Sequence, residues 1–370
     1  MAKPLRVGLI GTGMIGRVHA HAIRSSGGRL TRVAASTPER SADAARRLGA
    51  EGPAASGEAL IASDDVDVVH ICTPNAMHHA LAEQAIAAGK PVVCEKPLAT
   101  SVEDAERLVA LARTAGVVTA VPFVYRYYPT VQETRALITN GDAGRLSLLH
   151  GSYLQDWLAG GGATNWRVDP EQGGGSRAFG DIGVHWCDLM EFATGHRITR
   201  LMARLSRAYD QRPTSEGMAS VGTEDAATVM FETDQGATGS LVASQVSLGR
   251  KNKLWFSFDG TEASFVFDQE QPDSLWIGGA TQSRMVPRGP DTLGSEQGRG
   301  YSVLPAGHPQ GYQDCFNAFV ADVYATLEGQ ARAGLPTFTD GLRAAVLTEA
   351  VLHSAKNDSW IEVPACRSDS

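Results

Sequence analysis

Residues 7–16 read VGLIGTGMIG, an apolar run that leads directly into a G-x-G-x-x-G loop. In such a loop the first glycine permits a tight turn, the second lets a pyrophosphate approach the backbone, and the third lets the next helix pack on the strand. The helix N-terminus offers unpaired N–H groups to the phosphates. We predict a dinucleotide site here; a purely structural turn and an S-adenosylmethionine site are the alternatives. The predicted cofactor-binding residues of this loop are Gly11, Thr12, Gly13, Met14, Ile15 and Gly16.

Short apolar runs alternate with helical patterns outward from this loop, as far as about residue 121. The predicted strands are residues 5–10, 30–35, 66–72, 91–95 and 117–121. The predicted helices are residues 16–25, 38–48, 76–88 and 102–115. Strands and helices joined by short links predict an α/β fold with a doubly wound parallel sheet, which is the Rossmann architecture, over residues 1–124.

The pattern changes after residue 124, where strand-like runs cluster and hairpin turns separate them. Strands are predicted at 146–155, 226–232, 237–247, 253–258 and 263–267, and helices at 129–139, 181–193, 312–327 and 341–354. This predicts a second, α+β domain over residues 125–370 with a large, mostly antiparallel sheet. Residues 287–311 are rich in Gly and Pro, as in a functional lid or a disordered segment.

Composition excludes several classes of protein. The 370 residues carry a net charge of −8 and no basic run, which argues against a nucleic-acid partner. No window of 18 uninterrupted apolar residues predicts a membrane span, and no signal-peptide pattern is evident. The five cysteines, Cys366 among them, are scattered and form no C-x-x-C pair. This favours a reducing compartment over disulfides or a zinc site, so we expect a cytoplasmic protein without a metal.

The end of the second predicted strand bears on the choice between NAD and NADP. An NAD-selective site usually has an acid there, which binds the ribose 2′-hydroxyl. This chain has none at that point; Ser36, Thr37 and Arg40 stand where a 2′-phosphate would lie. We therefore favour NADP over NAD, the alternative being that Ser36 and Thr37 only cap the next helix.

Two further sets of polar residues predict chemistry. Lys96 follows Glu95 at the end of a buried strand, which is where ligands of open parallel sheets bind. The alternative is that the Lys96 side chain only extends from the strand end to water. Asp181 and His185 are four residues apart at a predicted helix start, with Asp188 one turn on. A histidine beside a carboxylate is a common general acid–base. The alternatives are an ordinary capped helix with a packed histidine and, with less support, a metal site.

These motifs together resemble the glucose–fructose oxidoreductase/inositol dehydrogenase family, also written Gfo/Idh/MocA, over essentially the whole chain. They are Gly11 to Gly16, Glu95-Lys96-Pro97, and the stretch from Gly174 through Asp181 to His185. The resemblance implies that Lys96, Asp181 and His185 are catalytic. It also implies hydride transfer between C4 of a nicotinamide and a carbon of a sugar, cyclitol or polyol. His185 would exchange the hydroxyl proton, Lys96 would hydrogen-bond the oxygen, and Asp181 would orient the site.

The resemblance extends to other positions. It implies cofactor contacts at Thr73, Pro74, Asn75, His78, Glu95, Lys96, Trp166 and Arg167. The last two follow Asn165, in a loop that a buried tryptophan would equally well anchor. Substrate contacts are assigned to Lys96, Tyr125, Asp181, His185 and His308, although the family often carries an asparagine near Tyr125. The open sheet of the family commonly forms an oligomer interface, so a homodimer or homotetramer is implied.

Three functions therefore follow from the sequence. The first is an NAD(P)-dependent sugar or polyol dehydrogenase. The second is the variant known in the family that keeps its nucleotide bound and uses transient oxidation to cleave a glycosidic bond. The third is a non-enzymatic nucleotide-sensing protein, against which the complete set of Lys96, Asp181 and His185 argues.

Overall fold

The computed structural model describes residues 3–214, 217–330 and 332–365, so that Cys366 lies outside the described residues. The chain divides into two units. One consists of Met1–Val124 and Tyr312–Ala345, and the other of Tyr125–Gly311 and Val346–Ser370. We expected all of 125–370 to form the second domain. Residues Tyr312–Ala345 belong to the first unit because their long helix packs on the first helix of the chain.

A six-stranded parallel sheet forms the centre of the first unit, with the strand order β3-β2-β1-β4-β5-β6. Its strands are β1 (Arg6–Ile10), β2 (Arg29–Ala34), β3 (Gly52–Pro53), β4 (Val68–Ile71), β5 (Val92–Cys94) and β6 (Thr119–Ala120). The order reverses between β1 and β4, which is where ligands of such sheets bind, outside the carboxyl ends of the strands. The predicted Rossmann architecture is confirmed.

Helices connect these strands. They are α1 (Met14–Ser25), α2 (Pro38–Leu48), α3 (Gly57–Ile61), α4 (His78–Ala87) and α5 (Val102–Ala115). Local chemistry sets their ends: the Thr37 and Ser101 side chains accept backbone N–H bonds at the starts of α2 and α5, and Gly116 ends α5 in a left-handed conformation. Of the strands and α-helices named here, the sequence patterns did not predict β3 and α3, which have two and five residues.

A nine-stranded sheet dominates the second unit, in the order β16-β15-β14-β13-β7-β12-β11-β8-β17. Only β7 and β12 pair in parallel, so the prediction of a mostly antiparallel sheet is confirmed. The strands of this unit, with the separate hairpin β9–β10, are β7 (Leu146–Leu154), β8 (Ile198–Ser206), β9 (Gln211–Thr214), β10 (Gly217–Ser220), β11 (Ala226–Thr233), β12 (Thr238–Ser244), β13 (Lys253–Gly260), β14 (Ser264–Asp268), β15 (Ser274–Gly278), β16 (Ser283–Pro287) and β17 (Ile361–Glu362).

The remaining helices lie between residues 129 and 357. They are α6 (Pro129–Thr139), α7 (Pro170–Gly173), α8 (Val184–Thr194), α9 (Glu296–Tyr301), α10 (Tyr312–Leu327) and α11 (Phe338–Asn357). Helix α8 packs on one face of the nine-stranded sheet, where the buried Trp186 indole donates to the Trp255 carbonyl oxygen at 2.9 Å. Among the described residues, no helix has the length and apolar character that a membrane span requires.

The opposite face of this sheet carries apolar residues that are exposed in this unit. Leu148, Met230 and Val242 are 41%, 48% and 39% exposed, while Leu149 and the residues on either side of Met230 and Val242 are buried. Alternation between buried and exposed side chains is the pattern of a sheet with one face packed and one face open.

The irregular stretch 287–311 is a built structure anchored by two buried charged residues. The Arg288 guanidinium donates to the carbonyl oxygens of Leu304 and His308 and to the Asp273 carboxylate. Glu133 accepts the backbone N–H groups of Gly294 and Ser295 at 2.9 and 2.8 Å, just before α9. One side chain of the stretch itself, Arg288, and one from α6, Glu133, thus satisfy backbone polar groups of this long loop.

Candidate active site

The glycine loop has the local geometry that a dinucleotide site needs. Gly11 has a φ of +92°, and a Cβ there would collide with the Cys72 carbonyl. A Cβ at Gly16 would collide with the Gly11 carbonyl, so the third glycine permits the close packing of α1. At Gly13, the residue before α1, a Cβ would meet nothing within 4 Å. The first and third glycines therefore serve the fold, whereas the second leaves open space beside the helix N-terminus.

The residues after β2 divide into a cap and an exposed pair. Thr37 accepts the Arg40 backbone N–H at 3.3 Å and so caps α2. The Arg40 guanidinium donates to the Ser36 hydroxyl at 3.0 Å, and both side chains are exposed. Of the two predicted alternatives, capping thus applies to Thr37. Ser36 and Arg40 form a small polar, positively charged group at the end of β2.

The loop after β4 carries Thr73, Pro74 and Asn75. The Thr73 hydroxyl oxygen is one of the buried polar atoms of the described chain that have no hydrogen-bond partner. His78, at the start of α4, is fully buried. Its Nδ1 lies 2.7 Å from the Pro97 carbonyl oxygen and its Nε2 3.0 Å from that of Thr73. The imidazole thus bridges two loops, and an effect of His78 on a cofactor would act through them.

Glu95 and Lys96 follow β5 at the same edge of the sheet. Glu95 is buried, and its Oε2 accepts the Lys96 backbone N–H at 3.2 Å. The peptide bond from Lys96 to Pro97 is cis. Lys96 is partly exposed at the carboxyl edge of the sheet.

These observations test whether the first unit fits a dinucleotide. The open space at Gly13 and the buried, unpartnered Thr73 hydroxyl lie at the ends of β1 and β4, the two strands at which the order reverses. Polar groups buried without a partner are rare in proteins and generally signal a missing ligand or water. The residues present therefore fit the phosphates and ribose of a dinucleotide, held by the glycine loop and by the loop after β4.

In the second unit, the helix that carries Asp181 and His185 begins earlier than the sequence pattern indicated. We predicted a helix over 181–193; a π-helical turn spans Phe179–Gly183 and leads into α8. The buried Glu224 carboxylate caps this start because its Oε1 accepts the backbone N–H groups of Arg177 and Phe179. Asp181 therefore lies inside the helix and is not its N-cap. Single π-helical turns within helices are frequent at functional sites.

Both carboxylate oxygens of Asp181 accept hydrogen bonds. Arg167 Nε donates to Oδ1 at 3.2 Å, and Gln245 Nε2 donates to Oδ2 at 2.8 Å. The orientation of the Gln245 amide is unambiguous because its Oε1 accepts from the Arg177 guanidinium at 3.2 Å. Asp181 is thus held from two sides as an acceptor, which suits an orienting role.

Two tyrosine rings surround His185. The centroid of the Tyr125 ring lies 5.1 Å from that of His185 in an edge-to-face arrangement, and the Tyr153 ring lies 6.3 Å away. The two tyrosine hydroxyls hydrogen-bond each other, and Tyr153 donates to Asn252 Oδ1 at 2.8 Å. Gln155 donates to the same Asn252 oxygen at 2.7 Å. The histidine thus stands beside a group of neutral hydroxyls and amides.

The other predicted residues of this unit have separate surroundings. Asp188 forms an ion pair with Arg126, and both side chains are 8% exposed. Trp166 stacks under the Arg167 guanidinium at 4.3 Å, so Arg167 connects the loop of Asn165 to Asp181. His308 is exposed in the irregular stretch. No group of three or more His, Cys, Asp or Glu side chains within residues 3–214, 217–330 and 332–365 has the arrangement of a metal site.

A buried ion cluster lies behind Asp181. Asp225 accepts from the guanidinium groups of Arg177 and Arg212, and the three side chains are at most 1% exposed. Burial raises the pKa of Asp225, but hydrogen bonds, first that from Arg177, outweigh it and lower the pKa below the ordinary value. Arg212 also donates to the Gly160 and Ala163 carbonyls and so shapes the loop that leads to Arg167.

Sequence analysis missed Gln245, Glu224 and Tyr153. Each lies on or beside a strand of the large sheet and reaches the site only through tertiary packing. Gln245 and Glu224 are buried polar residues, with exposed fractions of 0% and 3%. Polar residues in otherwise apolar strand patterns were the one signal available, and that signal does not identify their partners.

Two stretches of the chain match the models of two domains of the same protein family. Residues 5–123 match GFO_IDH_MocA, described as an oxidoreductase family with an NAD-binding Rossmann fold. Residues 131–266 match the GFO/IDH/MocA C-terminal domain. Together the two models span more than half of the chain.

Two characterised relatives and one solved structure extend the match to nearly full length. The chain is 32% identical to a levoglucosan dehydrogenase of Pseudarthrobacter phenanthrenivorans, over 97% of this chain and 98% of the relative. It is 31% identical to a 1,5-anhydro-D-fructose reductase of Ensifer adhaerens, over 97% and 98%. A structure of levoglucosan dehydrogenase in complex with NADH and L-sorbose superposes with a TM-score of 0.92 at 32% identity, over 99% of this chain and 100% of that one.

Proposed function

We propose, since this chain belongs to the Gfo/Idh/MocA family of NAD-binding oxidoreductases, that it is an NAD(P)-dependent dehydrogenase of a sugar, cyclitol or related polyol. The observation that carries the proposal is the arrangement around Asp181. Its carboxylate is held by Arg167 and Gln245, one helical turn before His185. A histidine beside a fixed carboxylate is suited to exchange a hydroxyl proton.

The mechanism divides between proton transfer and orientation. When bound, the dinucleotide supplies the nicotinamide carbon that accepts or gives the hydride. His185 takes the proton of the substrate hydroxyl during oxidation and returns it during reduction. Lys96 donates a charge-assisted hydrogen bond to the same oxygen and stabilises its developing negative charge. Asp181 orients the site. The roles of Lys96, Asp181 and His185 rest on the family resemblance and on the positions described above.

The cofactor preference is a separate part of the proposal. We propose that NADP(H) binds at least as tightly as NAD(H). The support is the exposed pair of Ser36 and Arg40 at the end of β2, where NAD-selective sites usually have an acid. A guanidinium already hydrogen-bonded to a hydroxyl is placed to receive a 2′-phosphate.

The substrate is proposed to be a neutral polyhydroxylated molecule. Neutral side chains of Tyr125, Tyr153, Gln155 and Asn252 form the hydrogen-bonded group beside His185. Tyrosines and amides both donate and accept, which suits hydroxyl groups of a sugar ring. The relatives named above are, by their names, a levoglucosan dehydrogenase and a 1,5-anhydro-D-fructose reductase, which agrees with this class.

The open face of the nine-stranded sheet is proposed as the interface of a homodimer or homotetramer. Leu148, Met230 and Val242 expose apolar surface there. Apolar side chains exposed together on one open face of a sheet agree with an interaction site. We expect Val242→Lys to shift the species observed by light scattering toward the 39.2 kDa protomer. An oligomer unchanged by the substitution would exclude this face.

The buried free thiols of Cys72, Cys94, Cys187 and Cys315 support a reducing, cytoplasmic location.

Absorbance at 340 nm tests the proposal directly. The purified chain is mixed with NAD⁺ or NADP⁺ and a panel of anhydro-sugars, aldoses, ketoses, cyclitols and linear polyols, and the reverse direction is assayed with the reduced cofactors. We expect turnover with at least one member of the panel, abolished in Gly13→Val. Absence of turnover with every member, together with tight nucleotide binding, would instead favour a nucleotide-sensing protein. Cleavage of a glycoside without net change at 340 nm would favour the glycosidase variant.

A further inference from the structure

Four polar side chains of the first unit form a continuous buried chain that ends at Glu95. Tyr324 Oη lies 3.3 Å from His70 Nε2, and His70 Nδ1 lies 2.9 Å from His19 Nδ1. His19 Nε2 lies 3.1 Å from Glu95 Oε1. His19 and His70 are fully buried, and Tyr324 and Glu95 are 5% and 7% exposed. Every link joins two groups that titrate or rotate, so the position of each proton depends on its neighbour.

The protons can be assigned from the tyrosine end of this chain. Burial raises the pKa of Tyr324; burial, and then the proximity of His19, lower the pKa of His70. At neutral pH a phenol O–H therefore faces a neutral imidazole, and we infer that the phenol is the donor and His70 Nε2 the acceptor, since this direction continues without conflict to Glu95. The proton of His70 must then sit on Nδ1, from which it is donated to His19 Nδ1. His19 in turn carries its proton on Nε2 and donates to Glu95 Oε1.

Glu95 is the end point of this directed chain. Its Oε1 accepts from His19, and its Oε2 accepts the backbone N–H of Lys96 at 3.2 Å. Its own backbone N–H donates to the Ile71 carbonyl at 3.0 Å, which ties it to β4. With both oxygens placed as acceptors, the Glu95 side chain is fixed in position from the helix side and from the sheet side.

The other ionisable groups that face Glu95 do not compete for this role. Burial, and then the charge of Glu95, raise the pKa of the Cys72 thiol; burial is the first cause at Cys94 as well. Burial lowers the pKa of His78, against the opposing effects of its two carbonyl partners and of Glu95. The two thiols are therefore protonated at neutral pH, and burial shifts His78 toward its neutral form. Among the described residues, Lys96, which follows Glu95 in the sequence, is the ionisable group that remains beside the Glu95 carboxylate.

We propose that the hydrogen-bonded series Tyr324–His70–His19–Glu95 is a positioning device for the active site. It holds Glu95 as a carboxylate against the backbone N–H of Lys96 and thereby places the Lys96 segment at the end of β5. His19, His70 and Tyr324 are positioning residues that act through Glu95. The effect on turnover rests on the proposed dehydrogenase function, whereas the proton assignment does not.

The first test is spectroscopic and needs no substrate. Long-range ¹H–¹⁵N spectra of the full-length wild-type chain at neutral pH report which imidazole nitrogen carries a proton, with signals assigned from the His19→Gln and His70→Gln variants. We expect His70 as the Nδ1–H tautomer, which is the minor form of free histidine in water, and His19 as the Nε2–H tautomer. A cationic His19, or His70 in the Nε2–H form, would overturn the proposal.

The second test compares two substitutions at His19. Leucine removes the donor to Glu95, whereas glutamine retains an amide N–H at about the position of Nε2. We expect His19→Leu to lower kcat about 10- to 100-fold, since a hydrogen bond to a charged group is lost, and His19→Gln to recover most of it. The KM for the sugar should change much less than kcat. His21→Leu, on the exposed side of the same helix, is the matched control.

Two results of this comparison would overturn the proposal: wild-type kcat in a folded His19→Leu, or a His19→Gln as slow as His19→Leu. Circular dichroism checks the fold of each variant. If leucine prevents folding, Tyr324→Phe replaces it, because this change removes one hydroxyl from the far end of the chain. In that variant, an unchanged tautomer of His70 and an unchanged kcat would also exclude the device. If the wild type turns over no substrate, the proposed function fails, and the ¹⁵N spectra alone decide this inference.

Discussion

The Gln245 amide joins Asp181 to a buried ion cluster: its Nε2 donates to Asp181 Oδ2 at 2.8 Å, and its Oε1 accepts from Arg177 Nη1 at 3.2 Å. Gln245 is fully buried, directly after β12. Arg177 in turn pairs with Asp225. The carboxylate proposed to orient the active site is thus connected, through one amide, to the most deeply buried charges of its unit. The position of the Asp181 carboxylate therefore depends more on tertiary contacts than on the helix that carries Asp181.

Gln245→Leu should lower kcat about 10- to 100-fold, because Asp181 loses a hydrogen bond worth about 1.5–3 kcal/mol to a charged group. Cofactor affinity should stay near the wild-type value, since Gln245 belongs to the second unit and the glycine loop to the first. Steady-state kinetics and nucleotide titration measure the two effects. Gln235→Leu is the control, because that amide is exposed and donates only to the Gly195 carbonyl. Equal kcat in both variants would exclude an orienting role for Gln245.

Gly13→Val and Gly16→Val should have opposite consequences. A side chain at Gly13 meets nothing within 4 Å, so this variant should fold normally and lose nucleotide binding, because the valine occupies the space for the pyrophosphate. A Cβ at Gly16 collides with the Gly11 carbonyl, so that variant should be destabilised or fail to fold. Thermal unfolding and fluorescence titration with NADH distinguish the two. Undiminished NADH affinity in Gly13→Val would rule out this loop as the phosphate site.

His185→Ala should reduce turnover by about 10² to 10⁴, the usual range for loss of a general acid–base, with cofactor affinity little changed. Lys96→Ala should also reduce turnover, since it removes a charge-assisted hydrogen bond to the reacting oxygen. Both variants are measured on whichever sugar proves active. His353→Ala, an exposed histidine of α11, serves as the control. Near wild-type turnover in His185→Ala would make the histidine a packing residue beside Tyr125.

Arg40→Ala should weaken NADP(H) about tenfold and leave NAD(H) nearly unchanged, because only the 2′-phosphate needs the guanidinium. Titration of the wild type and the variant with both reduced cofactors gives the two affinity ratios. The prediction requires the wild type to bind NADP(H) at least as tightly as NAD(H). A clear preference of the wild type for NAD(H) would contradict it, while the assignment of the glycine loop would stand.

Arg177→Met should lower the free energy of unfolding by about 3 kcal/mol or more, because it leaves the buried Asp225 carboxylate with fewer partners. Arg204→Met removes an exposed ion pair with Asp358 and should cost at most about 1 kcal/mol. Urea unfolding of the two variants makes the comparison, and equal losses would contradict a structural role for the buried cluster.

The same cluster predicts a pH dependence. The pKa of Asp225 is lower in the folded chain than its ordinary value, so its ionised form stabilises the fold above the unfolded pKa of about 3.9. This contribution is lost as the pH falls through the lower, folded pKa. The stability difference between wild type and Arg177→Met should therefore be largest near neutral pH and shrink in acid, because protonation of Asp225 removes the charge that the variant leaves poorly paired. A difference that stays constant down to about pH 3 would assign the effect to another group.

Local patterns predicted much of the fold. The glycine loop, the alternation of strands and helices, and the caps at Thr37 and Ser101 depend on residues a few positions apart, so their signals stand in the sequence itself. After residue 125 the strands β8, β9, β10, β15, β16 and β17 were missed, as were α7 and α9. Helix α9 follows a loop whose backbone groups are held by Glu133, more than 150 residues earlier, and no local pattern reports such a partner.

The sequence by itself determined the Rossmann architecture, the glycine loop and the helix that carries Asp181 and His185, because backbone geometry and apolar periodicity are short-range properties. Only the tertiary structure decided how the site is held. The partners of Asp181 lie 14 and 64 residues away, and the chain of Tyr324, His70 and His19 joins a late helix to the first one. Hydrogen bonds between buried side chains form wherever packing brings donor and acceptor together, and spacing along the chain carries no record of them.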